Sequence, residues 1–227
     1  MDQDIRPYPV APGEPAPDFD LPMVSADGRA TLGDYRGRSP LLIAMFRRFE
    51  CAFCRRLLAA LKQTGEDLEP LGIETLAITG SPVRAARLYT KYRPPGLALA
   101  SDPMFAIHRR YGTPVCALTA DGPSDWPRTA NMSDAMKIVV NPNGELPEAL
   151  PAPLAGEALD KLDGFEEVVT DEPKAPPGNL ALAGYFLIDR EGIVRWRYIE
   201  AYDDPVTYGR PPSVDELMVA ARALARA

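Results

Sequence analysis

Hydrophobic residues along this chain alternate between short unbroken runs and amphipathic stretches. Leu41-Leu42-Ile43-Ala44-Met45-Phe46 is a continuous apolar run, the pattern of a strand covered on both faces. From Cys51 to about Glu69 the period changes to that of a helix. Cys54, Leu57, Leu58, Leu61 and Leu68 fall on or near one face, while Arg55, Arg56, Lys62, Glu66 and Glu69 fall elsewhere. Pro70 and Gly72 supply the stop. Ile73 to Thr79 predicts a second buried strand. Ser81-Pro82, an N-cap followed by proline at the first helical position, predicts a helix over Val83 to Tyr92. Leu97 to Ala100 reads as a short strand, and Asp102-Pro103 opens a helix ending near Tyr111-Gly112. Late in the chain, Gly184 to Asp189 and Ile193 to Ile199 flank the polar turn Arg190-Glu191-Gly192 and predict a β-hairpin. Ser213, with Glu216 three residues on, forms a capping box for a last helix through Arg226. The order βαβαβα, then ββα, is an α/β pattern.

Two stretches depart from this rhythm. Residues 1–22 hold six prolines and predict an extended arm. Residues 113–182 hold ten and read as an insertion. Within it, Lys137 to Val140 predicts a strand before the turn Asn141-Pro142-Asn143-Gly144, and Leu154 to Leu162 a helix. An insertion this long is as consistent with a lid over a site as with tolerated filler. The division expected is one domain, 1–227, carrying the arm and the insertion.

At 227 residues with 46% hydrophobic composition, the chain can build a core without metal or disulfide staples. A net charge of −7 argues against nucleic acid. The start, Met1 to Pro9, has neither a basic nor an apolar leader region, and no run is long enough to cross a bilayer, so a cytoplasmic protein is expected. Three cysteines are too few for a secreted disulfide framework. Two of them three residues apart point to redox or metal chemistry.

Cys51 stands where a buried strand and short loop deliver the chain to a helix start. Unpaired N–H groups and the helix dipole stabilise a thiolate there and lower its pKa below the free value of about 8.5. Arg47, Arg48, Arg55 and Arg56 crowd the same segment and push in the same direction, with Glu50 opposing. Cys54 falls on the apolar face and is expected to stay protonated until a disulfide forms beside it. The pair is thus read as a nucleophile, Cys51, and a resolving thiol, Cys54. A zinc site needs four ligands, and only Cys51, Cys54, Cys116 and the single His108 are on offer, with no second pair at metal spacing.

Three segments resemble the peroxiredoxin-like AhpC/TSA, or redoxin, branch of the thioredoxin superfamily. They are Gly13-Glu14-Pro15-Ala16-Pro17-Asp18-Phe19 through Leu32-Gly33-Asp34-Tyr35-Arg36-Gly37, Ser101-Asp102-Pro103 to Tyr111-Gly112, and Phe186-Leu187-Ile188-Asp189-Arg190-Glu191-Gly192-Ile193-Val194-Arg195. The resemblance implies a thioredoxin-like, peroxiredoxin-type three-layer fold with a central mixed β-sheet flanked by helices. It also implies an oxidoreductase that takes a disulfide or peroxide substrate and a thioredoxin- or glutathione-type thiol reductant, and it allows a homodimer. Two positions depart from the family pattern. Arg48 stands where the family carries threonine, and Ala183 where it carries an arginine, leaving Arg48 and Arg197 as stand-in donors. Ala183-Gly184 also holds the place where thioredoxin-type proteins carry a cis-proline.

The site expected is therefore Cys51, Cys54 and Arg48, with no cofactor and no resident metal. A dithiol–disulfide oxidoreductase leads, a hydroperoxide reductase follows, and a non-enzymatic copper or zinc carrier using the same cysteines with His108 is the reading from another class. His108, with Phe105, Ile107 and Tyr111 around it, is read as a packing residue, and Cys116 as a small buried hydrophobe. The arginines near Cys51 are equally readable as a solvated helix face, and Trp126 and Trp196 as residues packing on their own segments.

Overall fold

A computed structural model describes residues 5–225 apart from 92, 121, 123 and 177. In chain order the strands are β1 (Asp20–Pro22), β2 (Arg29–Thr31), β3 (Leu41–Phe46), β4 (Glu74–Thr79), β5 (Ala98–Ser101), β6 (Val115–Thr119), β7 (Thr129–Asn131), β8 (Val139–Val140), β9 (Leu150–Pro151), β10 (Asn179–Ala181), β11 (Gly184–Ile188) and β12 (Val194–Ile199). The α-helices are α1 (Ala52–Leu68), α2 (Val83–Thr90), α3 (Ala106–Arg110), α4 (Met132–Ala135), α5 (Ala152–Asp163) and α6 (Val214–Ala225).

The central sheet has the order β12-β11-β3-β4-β5 and is mixed. β3, β4 and β5 run parallel, and β11 runs antiparallel to both β3 and β12. The apolar run predicted for β3 is buried throughout because its two alternating sets face two cores. Leu41, Ile43 and Met45 pack with Phe19, Ile107, Tyr111 and Phe186 on one side. Leu42, Ala44 and Phe46 meet Leu57, Leu58, Leu61 and Leu217 on the other. Each such leucine contributes roughly 1.5–3 kcal/mol by leaving water. Three layers result, and the fold is thioredoxin-like.

Several boundaries differ from the sequence expectation for identifiable reasons. Cys51 is the N-cap of α1 rather than its first residue, with φ −89° and ψ 114°. α1 stops at Leu68 and tightens into a 3₁₀ turn closed by Gly72 at φ +71°, as Pro70 and Gly72 predicted. Pro82, not Ser81, precedes α2, and the helix's free N–H groups at Arg84 and Ala85 are taken by the Glu172 carboxylate. The predicted ends at Tyr92 and Arg226 lie outside the described residues. α3 starts at Ala106, because the Asp102 carboxylate accepts from the Ala106 and Ile107 N–H groups at 2.8 and 2.9 Å.

The described part of the arm, residues 5–22, is extended as expected but also contributes β1, which pairs with β2. It lies along β12, exchanging Gly13 N–H to Val194 O and Val194 N–H to Glu14 O bonds at 2.7 and 2.9 Å. This covers a sheet edge that would otherwise present unpaired backbone.

Residues 113–182 are well supplied with regular structure. β10, β6 and β7 form a three-stranded sheet, β8 and β9 a two-stranded one, and α5 packs on α1 through Phe53, Ala155 and Leu159. The helix expected over Leu154 to Leu162 is α5. Of the strand expected over Lys137 to Val140, Val139–Val140 forms, before a 3₁₀ turn over Pro142–Gly144. Among the described residues no helix is long and apolar enough to cross a membrane.

Candidate active site

Parallel β3 delivers the chain to a short loop, residues 47–50, outside its carboxyl end, where α/β folds place their sites. That loop is tied down from β4. Thr79 Oγ1 donates to Arg47 O at 3.2 Å, Gly80 N–H to Arg47 O at 2.8 Å, and Phe49 N–H to Ser81 Oγ at 2.9 Å. Ser81, expected to cap α2, is used here instead.

At the helix start Cys51 is half-buried and Cys54 is 1% exposed, both as free thiols. The neighbouring Cys54 thiol, the charge and Nε–H of Arg47 and the Cys54 backbone N–H together outweigh burial and bring the Cys51 pKa down to about 5. Burial, then its neighbour Cys51, pushes Cys54 well up. A specific cation is thus among the causes that favour the Cys51 thiolate.

That cation is Arg47, 5% exposed, whose Nε–H donates to Cys51 Sγ at 3.4 Å. Its Nη1 donates to Ala181 O at 3.1 Å and to the Glu200 carboxylate. Burial disfavours the Arg47 cation, yet Cys51, Cys54, Glu200 and Tyr208 around it hold it protonated. The meeting of Arg47 and Glu200 follows from register. Gly184 pairs with both Met45 and Ile199, so the residues just beyond β3 and β12 converge where β11 begins. Glu200 is fully buried and its oxygens also accept from Ala183 N–H and Gly209 N–H, each at 2.8 Å. Tyr208 lies under the guanidinium at 4.7 Å and packs edge-on to Phe53.

The other arginines turn elsewhere. Arg48 donates to Gly80 O at 3.3 Å and Ala175 O at 2.5 Å and lies over Phe105, so its guanidinium is spent on backbone carbonyls. Arg197 donates to the Pro9 and Val10 carbonyls of the arm. Arg55 and Arg56 are neither a solvated face nor partners of Cys51. They are nearly buried and bind Asp160, Asp163 and Glu145, clamping α1 to residues 113–182.

Sequence reasoning thus grouped Arg47 with three neighbours and singled out Arg48, and it missed Glu200 and Tyr208. A carboxylate directly after the strand Val194–Ile199 was the available signal for Glu200. At the position where arginine or cis-proline was sought, Ala183 offers its backbone N–H to Glu200.

His108 is buried, with Nδ1 3.1 Å from Asp102. Its bond to Asp102 and the Cys51–Cys54 pair belong to different clusters. Among the described residues no group of three or more His, Cys, Asp or Glu side chains is gathered to hold a metal. Cys116 is fully buried in β6, and burial raises its pKa to about 11. Trp196 packs against the core, whereas Trp126 donates to Ala201 O at 2.7 Å and reaches a cleft above Cys51.

A free cysteine at the N-cap position of α1, a second buried one turn on and a thioredoxin-like sheet mark a thiol-dependent oxidoreductase. The sequence matches the AhpC/TSA family over residues 12–197, and the chain belongs to that family. No curated protein matches the sequence. Among solved structures it is similar to a reduced 2-Cys peroxiredoxin from Plasmodium vivax, at 16% identity and TM-score 0.58, covering 96% of this chain and 83% of that one. It is also similar to a thiol peroxidase from Chromobacterium violaceum, at 15% identity and TM-score 0.55, covering 96% and 90%. A Plasmodium yoelii thioredoxin peroxidase I gives 17% identity and TM-score 0.54, covering 95% and 91%. At these identities the likeness is one of fold.

Proposed function

We propose that the chain is a dithiol–disulfide oxidoreductase in which Cys51 is the nucleophile and Cys54 the resolving thiol. The observation that carries this reading is Cys51 at the N-cap of α1 with the Arg47 Nε–H on its sulfur and Cys54 buried one turn on. The Cys51 thiolate attacks one sulfur of a substrate disulfide, forming a mixed disulfide and expelling the other half as a thiolate. Cys54 then loses its proton and attacks Cys51 Sγ. A Cys51–Cys54 disulfide forms, the second substrate thiol leaves, and the two electrons taken up by the substrate come from the dithiol. A thioredoxin- or glutathione-type thiol returns the enzyme to the dithiol. Arg47, in contact with the reacting sulfur, holds it ionised. Glu200 is a positioning residue acting through Arg47.

A second reading, thiol-dependent hydroperoxide reduction with an antioxidant role, draws support from one further observation. Arg47 Nη2 is buried without a hydrogen-bond partner. Nε and Nη2 form one edge of a guanidinium fork, the edge by which Arg56 grips Glu145. With Nε–H on Sγ, Nη2 lies beside it as a free donor for an atom bonded to that sulfur, such as a peroxide oxygen. In that reaction Cys51 takes one oxygen as sulfenic acid, an alcohol or water leaves, and Cys54 displaces a second water to close the disulfide. With either reading goes the proposal of a single-domain cytoplasmic protein able to form a homodimer.

The test treats reduced protein separately with a small disulfide and with hydrogen peroxide, following the Cys51–Cys54 disulfide by peptide mass. Fast closure with disulfide alone supports the first reading, and fast closure with peroxide supports the second. Closure no faster with either than oxidation of free cysteine would remove both. The metal-carrier alternative is tested by elemental analysis of the purified protein, with a stoichiometric metal lost in Cys51→Ser as its signature.

A further inference from the structure

The guanidinium of Arg47 is held dry beside a thiol that itself reaches solvent. Arg47 is 5% exposed, and its Nη2 is buried without a hydrogen-bond partner, the mark of a donor from which water is shut out. Ala181 and Glu200, which accept from Nη1, are fully buried, whereas Cys51 and Tyr208 are half-buried. Tyr208 therefore stands between the guanidinium and the surface. Its ring centroid lies 4.7 Å from Arg47 Cζ, and Phe53 braces it edge-on at 5.3 Å.

The chain after β12 is folded so as to lay this ring down. Pro205–Thr207 form a 3₁₀ turn capped by the Asp204 side chain. Thr207 Oγ1 accepts from Ala201 N–H at 2.7 Å, and Gly209 N–H donates to Glu200 at 2.8 Å. The residues on either side of Tyr208 are thus tied to Ala201 and Glu200. One carboxylate, Glu200, both grips Arg47 and holds the loop that brings Tyr208 onto the same guanidinium.

A cation stabilises a thiolate most where water and ions do not screen it. Removing the ring would have two opposed effects. Water at the guanidinium would weaken its pull on the sulfur, and water at Cys51 would itself solvate the thiolate. Cys51 is half-exposed already and Arg47 hardly at all, so the first effect is the larger. The other groups near the sulfur, Cys54 on α1 and Glu200, oppose a thiolate by charge when ionised. In the cleft above Cys51 the carboxylates Glu50, Asp134 and Asp160 are paired with Lys174, Lys137 and Arg55, which leaves Glu157. Among the described residues Arg47 is the one cation in that lining, and its pull is what a shield can protect.

We propose that Tyr208 is a positioning residue for Cys51, its ring keeping water off the Arg47 guanidinium so that the charge acts unscreened on the sulfur. The proposal rests on Cys51 being the nucleophile argued above. It assigns the work to the face of the ring and none to the hydroxyl.

The experiment alkylates the reduced parent, Tyr208→Phe and Tyr208→Ala with iodoacetamide across pH, at about 0.01 M and about 1 M salt, and locates the label by peptide mass. The reagent is uncharged, so salt does not alter its approach. Tyr208→Phe keeps the ring face and is expected to match the parent. Tyr208→Ala is expected to raise the Cys51 midpoint by about 1 pH unit, about a 10-fold loss of thiolate below the midpoint. Salt is expected to raise it further relative to the parent, since ions then reach the guanidinium. Tyr208→Leu keeps apolar bulk without a flat face; it is expected to shift in the same direction, and it decides the matter if the alanine variant does not fold. Alanine and leucine variants matching the parent at both salt concentrations, or a phenylalanine variant that shifts as alanine does, would overturn the shielding proposal and leave the oxidoreductase reading intact. A parent in which Cys51 is not the first cysteine labelled would overturn the nucleophile reading, and the shielding proposal with it.

Discussion

The Nε–H of Arg47 points at the sulfur of Cys51 from 3.4 Å, while the opposite end of the same guanidinium is fixed by the buried carboxylate of Glu200. A cation placed this way lowers a neighbouring thiol's pKa by about 1–3. Arg47→Met is therefore expected to move the midpoint of Cys51 alkylation up by that amount. It also strands Glu200 and should cost about 3–5 kcal/mol of stability. In the double variant Arg47→Met, Glu200→Gln, the buried charge is gone and the amide oxygen still accepts from one of the two N–H groups of Ala183 and Gly209, so stability returns in part while the raised midpoint remains. Urea unfolding beside alkylation rates separates the two effects.

Cys54→Ser is expected to leave Cys51 able to attack but unable to finish. Incubation with a small disulfide should then accumulate a mixed disulfide on Cys51, visible as a mass adduct, where the parent protein forms only the intramolecular bond. Cys51→Ser should give neither product.

Stability should depend on pH in the reduced protein. The folded pKa of Cys51, about 5, lies below the unfolded value of about 8.5. Between these values the unfolded chain binds a proton the folded chain does not, so stability rises with pH through this window and is lost as pH falls through the folded pKa. The slope should reach about 1 kcal/mol per pH unit. Above the window the raised Cys54 reverses the trend, because only the unfolded thiol then ionises. The oxidised protein lacks both effects, and thermal melts of the two forms across pH read the difference.

Gly209 donates to Glu200 from a backbone at φ +73°, and an added Cβ would meet Phe53 Cδ1 at 2.7 Å. Gly209→Ala should therefore cost about 1–3 kcal/mol. By shifting Phe53 against Tyr208, it should also slow the reaction of Cys51.

Much of this was legible in the sequence, for reasons that mark where such reading stops. β3, α1 and the β11–β12 hairpin carry local periodicity, and Cys51 is placed by the transition between two of them. The Asp102 carboxylate moved the start of α3 to Ala106, and Glu172 reaches the first N–H groups of α2 from far along the chain, a contact that leaves no periodic trace. β6 pairs with β10 across nearly the whole of 113–182, with Cys116 opposite Leu180, a contact no local pattern encodes. Arg48 was singled out over Arg47 because loop residues have no fixed side-chain alternation to separate them. In the structure Arg47 turns inward to Cys51 and Glu200, and Arg48 to Gly80 and Ala175.

The thiol asymmetry is tested most directly by alkylating reduced protein with iodoacetamide across pH and locating the label by peptide mass. The account predicts that Cys51 is modified with a midpoint near 5 and that Cys54 stays unlabelled throughout the neutral range. Labelling of both cysteines with a common midpoint near 8.5, or of Cys54 before Cys51, would contradict it.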